Sequence, residues 1–109
     1  MPWLIRECEV LAALEMAESR RDRNRGLLGR DGIDGGLLIR PAHQVHTFGM
    51  RFAIDVAFCT RELVVVSTIC MTRNRLSRLS LRGRCVIEAE AGAFERWRLR
   101  PGDCLEIRQ

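Results

Sequence analysis

The sequence predicts a mainly β fold with some helix (α+β), arranged as a small, partly closed antiparallel β-barrel with one or two short helices. Short apolar segments alternate with turn residues along the chain, which is typical of such folds. One segment, residues 46–59, alternates in polarity with a period of two. Residues 20–28 and 93–99 favour helix. With 109 residues, the chain is expected to form a single domain over residues 1–109.

The N-terminal part is predicted to contain strands and one helix. Residues 3–6 form a short apolar strand, whereas residues 10–17 fit a helix by propensity and a strand by alternation. Ser19 is a predicted N-cap for a basic helix over residues 20–28, ended by Gly29. Glycines and aspartates in residues 29–36 predict a loop. Residues 36–40 then predict a strand that stops at Pro41.

The segment from His46 to Cys59 is predicted to be one long strand. Arg51 and Asp55 share one face with small residues, and the other face is expected to be a wall of the core. That wall comprises Phe48, Met50, Phe52, Ile54, Val56 and Phe58. Residues 63–71 are apolar on both parities, which predicts a central strand covered on both faces. The short polar turn between the two segments predicts an antiparallel hairpin.

Residues 72–84, called the arginine loop here, contain five arginines and no acidic residue. Connections this long are uncommon in compact domains, so we expect this loop to be the least ordered internal segment. Only Leu76, Leu79 and Leu81 could anchor it. Beyond it, residues 85–90 and 105–108 predict strands, and residues 93–99 predict a short helix in which Trp97 packs against the core or caps it.

All 18 basic residues are arginine, and the net charge is +4. Arginine suits phosphate and carboxylate recognition, although a GC-rich genome explains the absence of lysine more simply. The five scattered cysteines lack the spacing of a disulfide framework or zinc site, and four of them lie in apolar segments where burial is expected. No segment is apolar enough to span a membrane, and the N-terminus does not resemble a signal peptide, so we expect a cytoplasmic protein.

Five segments occur in an order that carries a family resemblance: Arg25-Gly-Leu-Leu-Gly-Arg30, Gly36-Leu-Leu-Ile, His46-Thr-Phe-Gly-Met-Arg-Phe-Ala-Ile-Asp-Val, Val86-Ile-Glu-Ala-Glu-Ala-Gly92 and Arg100-Pro-Gly-Asp103. Together they resemble the DUF192 family, small bacterial and archaeal proteins of unassigned function. The resemblance implies a compact β-rich, barrel-like fold and resolves residues 10–17 as strand. The family positions matched are Met50, Asp55, Glu88, Gly92, Gly102 and Asp103. Ala53 departs from the pattern, because the family commonly has proline there.

Two constellations could carry chemistry. Asp55 and Glu88 are candidates for paired acid/base work in a hydrolase or lyase. His43 and His46 with Asp55 could form a metal site, but we favour exposed or hydrogen-bonded histidines because the segment is predicted as loop leading into strand. Asp55 also needs a partner if it is buried, and Arg40 is the partner we expect, because it ends the preceding strand.

The function we favour is that of a non-enzymatic binding or interaction module for an anionic small molecule or an acidic protein partner. The Arg51/Asp55 face and the arginine loop would form its binding surface. A nucleic-acid binder using residues 73–84 is an alternative that we rank lower, because no aromatic residue lies within that loop. No cofactor, metal or membrane interaction is predicted. The predicted ligand-binding residues are Arg40, His46, Met50, Arg51, Asp55 and Glu88.

Overall fold

A computed structural model describes all residues, 1–109, as seven strands and two short helices. In chain order they are β1 (Trp3–Arg6), β2 (Glu9–Ala17), α1 (Arg20–Arg25), β3 (Gly36–Ile39), β4 (Ile54–Cys59), β5 (Val65–Met71), β6 (Cys85–Glu90), α2 (Ala93–Trp97) and β7 (Leu105–Arg108). The mainly β prediction is confirmed, and residues 10–17 belong to a strand. Neither helix has the length and hydrophobicity needed to cross a membrane.

The strands form one mixed sheet in the order β5-β4-β6-β3-β2-β1-β7. The β2–β3 pair is parallel and the other pairs are antiparallel, so the prediction of an all-antiparallel sheet is wrong at that pair. A single bridge between Val64 and Cys104 joins the chain ahead of β5 to the chain ahead of β7. This pairing does not continue along β5 and β7, so the sheet is not closed and the predicted barrel closure is not found.

The sheet has an apolar cluster on each face, because both sides of its central strands are covered. Every residue of β4 is buried. Ala57 and Cys59 pack on one face with Ile87, Leu38 and Phe94, which we call the α2 face. The opposite face, called the α1 face, carries Ile54, Val56 and Phe58 with Leu37 and the buried Leu27 that follows α1. Alternation along β4 therefore distributes residues between two cores and not between core and solvent.

The long strand predicted from residue 46 is wrong in its first half, because β4 begins only at Ile54. Gly49 has a φ of +77°, which interrupts an extended backbone. The buried Thr47 hydroxyl donates to the carbonyl of Thr72 at 2.7 Å and accepts the N–H of Arg75 at 2.8 Å. Residues 46–53 therefore form a turn that is anchored on the arginine loop, and Phe48 is 51% exposed instead of lying in the core.

The prediction that residues 63–71 form a central strand is also wrong. The corresponding strand, β5, lies at the edge of the sheet and pairs only with β4. Its Ile69 and Cys70 are exposed. Apolar residues on both parities predicted burial on both faces, but here one strand edge and part of each face remain open to solvent. The predicted β4–β5 hairpin is confirmed.

Polar contacts, and not leucines, hold the arginine loop. The hydroxyl of the buried Ser77 accepts the N–H of Val45 at 2.9 Å, and the Ser77 N–H donates to the Val45 carbonyl at 2.8 Å. The three leucines predicted as anchors, Leu76, Leu79 and Leu81, are exposed. Burial of four cysteines is wrong as well, since only Cys59 and Cys85 are buried. The edge position of β5 accounts for the exposure of Cys70.

The helices are shorter than predicted but lie where expected. Ser19 caps α1 by accepting the N–H of Asp22 at 3.1 Å, and the helix ends at Gly26, which has a φ of +49°. Gly26 thus replaces Gly29 as the terminating glycine. Trp97, at the end of α2, packs beside Phe94 with ring centroids 5.4 Å apart, as predicted for a core aromatic.

Candidate functional site

The six residues predicted to bind a ligand do not converge on one site. His46 and Glu88 line the same cleft, on the α1 face. Arg40 pairs with Glu18 at 3.0 Å, and Arg51 pairs with Asp31 at 3.0 Å on the surface. The other two residues, Met50 and Asp55, are buried, Met50 within the cluster on the α1 face and Asp55 on the opposite side of the sheet.

Asp55 holds the start of α2. Its Oδ2 accepts the backbone N–H of Gly92 at 2.9 Å and that of Phe94 at 3.0 Å. These N–H groups have no partner within so short a helix, and a carboxylate at a helix N-terminus also complements its dipole. The predicted Asp55–Arg40 pair is therefore wrong, and backbone amides take its place. The Arg51/Asp55 face does not exist as a surface, because Asp55 is only 7% exposed.

Asp55 and Glu88 cannot act as a pair across a cleft. Glu88 stands directly opposite Val56 in the β4–β6 ladder, whereas Asp55 stands opposite Ala89. Neighbouring residues of a strand point to opposite faces, so Glu88 points to the α1 face and Asp55 to the α2 face. The predicted acid/base pairing is wrong because the two side chains point to opposite faces of the sheet.

Glu88 forms the floor of a cleft of about 260 Å³, which we call the Glu88 cleft. Its wall consists of Arg23, Asn24 and Gly26 from the end of α1, together with residues 41–46, which include His43 and His46. Glu88 is 5% exposed. Burial alone raises the pKa of its carboxyl group to about 7, and neither an ion pair nor a hydrogen bond offsets that effect.

The outer edge of β5 is free over most of its length. Val65 uses its edge groups, since its N–H donates to the Asp103 carbonyl at 2.9 Å and its carbonyl accepts from Gly102 at 2.7 Å. From residue 66 to residue 71, backbone hydrogen bonds reach only β4. This stretch contains no proline and no charged residue, the features that commonly block pairing at an exposed edge.

A cleft of about 570 Å³ runs along β5 on the α1 face, between the strand and the arginine loop, and we call it the loop cleft. Ser67, Ile69 and Phe58 line it from the sheet. Leu76 and Leu79, which are 59% and 52% exposed, line it from the loop. Exposed apolar side chains gathered around a groove are typical of an interaction site.

A second cleft, of about 760 Å³, lies beside β5 on the α2 face, and we call it the helix cleft. Thr68 and Cys70 contribute to it from β5, and Leu99 lies on its other side. Partial desolvation and the nearby Asp55 carboxylate both raise the pKa of the exposed Cys70 thiol, desolvation having the larger effect. Thr68, Ile69 and Cys70 border both clefts, which therefore lie on the two sides of β5.

Both clefts carry arginines without an acidic partner. Arg75 and Arg78 line the loop cleft, and Arg98 and Arg100 line the helix cleft. None of the four forms one of the six ion pairs of the protein. The only acidic residues along these clefts are Glu95 and the buried Asp55, so the surroundings of the β5 edge are positively charged.

Sequence reasoning missed the β5 edge. The signal that could have found it is local: Ser67, Thr68 and Cys70 make the segment more polar than a fully covered strand needs to be. His46 and Glu88 were identified, but the residues that surround them come from α1 and from the connector after β3, which only the tertiary fold brings together.

Comparison with known proteins supports the fold. A crystal structure of a protein of unknown function from Novosphingobium aromaticivorans DSM 12444 is similar, with a TM-score of 0.80, 17% identity, and coverage of 97% of this chain and 84% of that chain. A "putative transcription regulator" from Sinorhizobium meliloti 1021 is also similar, with a TM-score of 0.79, 20% identity, and coverage of 96% of this chain and 90% of that chain. No curated protein matches the chain.

At such low identities the two structures show the fold alone. The sequence profile of DUF192, described as "Uncharacterized ACR", matches residues 5–107, which is nearly the whole chain. The chain therefore belongs to the DUF192 family.

Proposed function

We propose that this protein is a non-enzymatic interaction module that binds an extended, acidic segment of a partner protein along the edge of β5. The observation that carries the proposal is the free edge of β5 between two arginine-lined clefts. An added strand would hydrogen-bond to the edge through its backbone. Its side chains would enter the two clefts alternately, as in other complexes formed by strand addition.

The backbone provides the affinity that does not depend on sequence. Outward-facing residues of an antiparallel strand each offer one N–H and one C=O, so the free stretch of β5 presents about six such groups. The apolar floor of the loop cleft, formed by Ile69 and Phe58, adds a place for an aliphatic side chain of the partner.

The charges select the partner. Arg75 and Arg78 on one side, with Arg98 and Arg100 on the other, favour carboxylates on both faces of the added strand. The same charges oppose pairing between two copies through β5, because each copy would bring its own four arginines to the interface. An acidic peptide segment therefore fits this edge better than a second copy of the chain.

A nucleic-acid binder is the second candidate. The arginine loop is consistent with it, and the similar protein from Sinorhizobium meliloti 1021 carries the description of a transcription regulator. However, the loop has no aromatic residue to stack on bases, and Phe58 in the loop cleft is buried. A free strand edge also has no evident use in contacting phosphates, so we favour the peptide.

Fluorescence anisotropy with synthetic peptides tests the proposal. The probe, called the Asp–Val peptide, is a labelled peptide of about eight residues that repeats Asp-Asp-Val-Val, so that both faces of the added strand carry carboxylates, and its length matches a typical strand. The matched controls replace every Asp of this peptide with Lys, or place proline at alternate positions so that pairing is blocked. We expect only the Asp–Val peptide to bind, with NMR amide shifts concentrated at residues 66–71.

Charge-reversal variants locate the site. Arg75→Glu with Arg78→Glu should weaken binding of the Asp–Val peptide about tenfold, because two charge pairs become repulsive. Arg20→Glu with Arg21→Glu changes the net charge equally at exposed positions of α1, outside both clefts, and should have little effect. Equal losses in both variants would overturn the site. Binding of duplex DNA with a steep salt dependence, and no peptide binding, would replace the proposal with the second candidate.

A further inference from the structure

Glu88 stands apart from the other buried polar residues of this protein. The side chains of Thr47, Ser77 and Asp55 all form hydrogen bonds with backbone groups. Glu88 is as deeply buried as these, at 5% exposure, yet no protein group partners its carboxylate. No fully enclosed side-chain oxygen lacks a partner, so the carboxylate oxygens reach the Glu88 cleft.

The fold brings the Glu88 carboxylate close to the end of α1. A Cβ atom at Gly26 would lie 3.5 Å from Oε1 of Glu88, so the absence of a side chain at residue 26 leaves room beside the carboxylate. Ile39 and Val45 provide apolar wall, and Asn24 and Gln44 provide amide groups. The volume of about 260 Å³ lies below the roughly 300–1,000 Å³ typical of sites for drug-sized ligands, so a ligand here must be small.

A carboxylate that is held in place and accepts no protein donor suits a ligand that brings its own donors. Two parallel N–H groups on a planar cation match the two oxygens of a carboxylate and form the strongest such contact. The ionised Glu88 would repel an anion, and the one arginine of the cleft, Arg23, already donates to the Glu18 carbonyl at 2.6 Å. We infer that the Glu88 cleft is a second binding site, which takes a small molecule bearing an amidinium or guanidinium group.

Few titratable groups face the Glu88 carboxylate. The Arg23 guanidinium of α1 donates to the Glu18 carbonyl at 2.6 Å, and His43 and His46 lie in the connector after β3. The opposing positions on β3 and β4 are Leu37 and Val56, which do not titrate. The Glu88 cleft shares no lining residue with the loop cleft or the helix cleft, so this site is independent of the peptide site proposed above.

NMR titration of the protein labelled with ¹³C at the glutamate carboxyl carbons tests the inference. Methylguanidine is the probe, and methylurea, which has nearly the same shape without the charge, is its matched control. Methylguanidine should shift the Glu88 signal and lower the pH at which Glu88 titrates, whereas methylurea should do neither. Equal effects of the two molecules, or no effect of methylguanidine, would overturn the inference.

Variants then assign the pH dependence. Because the probe binds the ionised carboxylate, methylguanidine should bind about tenfold more tightly at about pH 8 than at about pH 6. Glu88→Gln should abolish binding, and His43→Gln or His46→Gln should retain the tenfold pH dependence. Loss of that dependence in a histidine variant, with binding unchanged in Glu88→Gln, would assign the effect to the histidines and refute the site.

Discussion

Replacing Glu88 with glutamine should make this protein more stable at alkaline pH while leaving its stability at acidic pH nearly unchanged. Burial raises the pKa of Glu88 from 4.5 to about 7. A carboxyl group whose pKa is higher in the folded than in the unfolded state contributes its full stability only below the unfolded value. That contribution is lost as the pH rises through the pKa of the folded state, so the free energy of unfolding of the unsubstituted protein should fall between about pH 4 and pH 8.

The size of the effect follows from the two pKa values. A difference of roughly 2.5 pKa units corresponds to about 3 kcal/mol of free energy of unfolding at about pH 8, where Glu88 is ionised in both states. Because the carboxylate oxygens reach the Glu88 cleft, where water can solvate them in part, this value is an upper limit. Glutamine has nearly the same shape and cannot ionise, so the variant does not incur this cost.

Urea unfolding of the native protein and of Glu88→Gln, followed at several pH values, measures the effect. The difference in unfolding free energy should grow with pH and level off above about pH 8. Glu90→Gln, two residues along β6 at an exposed position, is the matched control and should show no such trend. A difference that stays constant from about pH 4 to pH 8 would show that Glu88 is not buried as described.

Three further predictions concern stability and exchange. Asp55→Ala should lower the free energy of unfolding by roughly 2–4 kcal/mol, and Asp55→Asn by only about 1 kcal/mol, because asparagine keeps an oxygen that can accept the N–H groups of α2. Equal losses for the two variants in urea unfolding would contradict the role of Asp55 as the cap of α2. Phe58→Ala should cost roughly 3–5 kcal/mol, and a loss below about 1 would contradict its burial. In the arginine loop, the amide hydrogens of Ser77 and Asn74 donate to backbone carbonyls and should exchange slowly, whereas the amide hydrogen of Leu79 should exchange fast. Uniformly slow hydrogen exchange along the loop would contradict its expected mobility.

Segments whose conformation is set locally were predicted well. The sequence of β6 has clear boundaries, and its predicted range agrees with the structure. Ser19 was identified as the cap of α1 because the hydrogen bond that it forms, with Asp22, spans only three residues. Strand residues 10–17 were ambiguous from propensity and alternation, and only the resemblance to DUF192 resolved them correctly.

Features that depend on non-local partners were predicted poorly. The alternation from His46 onward continues through Gly49, but the contacts of Thr47 with the arginine loop turn the backbone, so that β4 begins only at Ile54. The position of each strand in the sheet could not be predicted from the sequence either, because the order of strands depends on pairings between residues far apart in the chain. For β5, apolar residues on both parities predicted a covered strand at what proved to be an edge.

The site residues show the same division. Asp55 and Glu88 were chosen because each is an acid within an apolar strand, and both are buried. Their partners could not be read from the sequence, since the N–H groups that bind Asp55 lie 37 and 39 residues away. That two such residues point to opposite faces follows from the β4–β6 register, which alternation within either strand does not fix.

The contrast between these two acids also bears on why Glu88 is present at all. Burial of the Asp55 carboxylate is offset by two hydrogen bonds that begin α2, so its charge has a structural use. No hydrogen bond offsets the burial of Glu88, and its ionisation lowers the free energy of unfolding by about 3 kcal/mol. A well-packed apolar residue would serve the fold better, and perturbed carboxyl groups in clefts are frequent at functional sites. A ligand that donates hydrogen bonds to the ionised Glu88 carboxylate would offset this loss of stability. Removal of the carboxylate in Glu88→Gln should therefore cause both the gain in stability and the loss of methylguanidine binding.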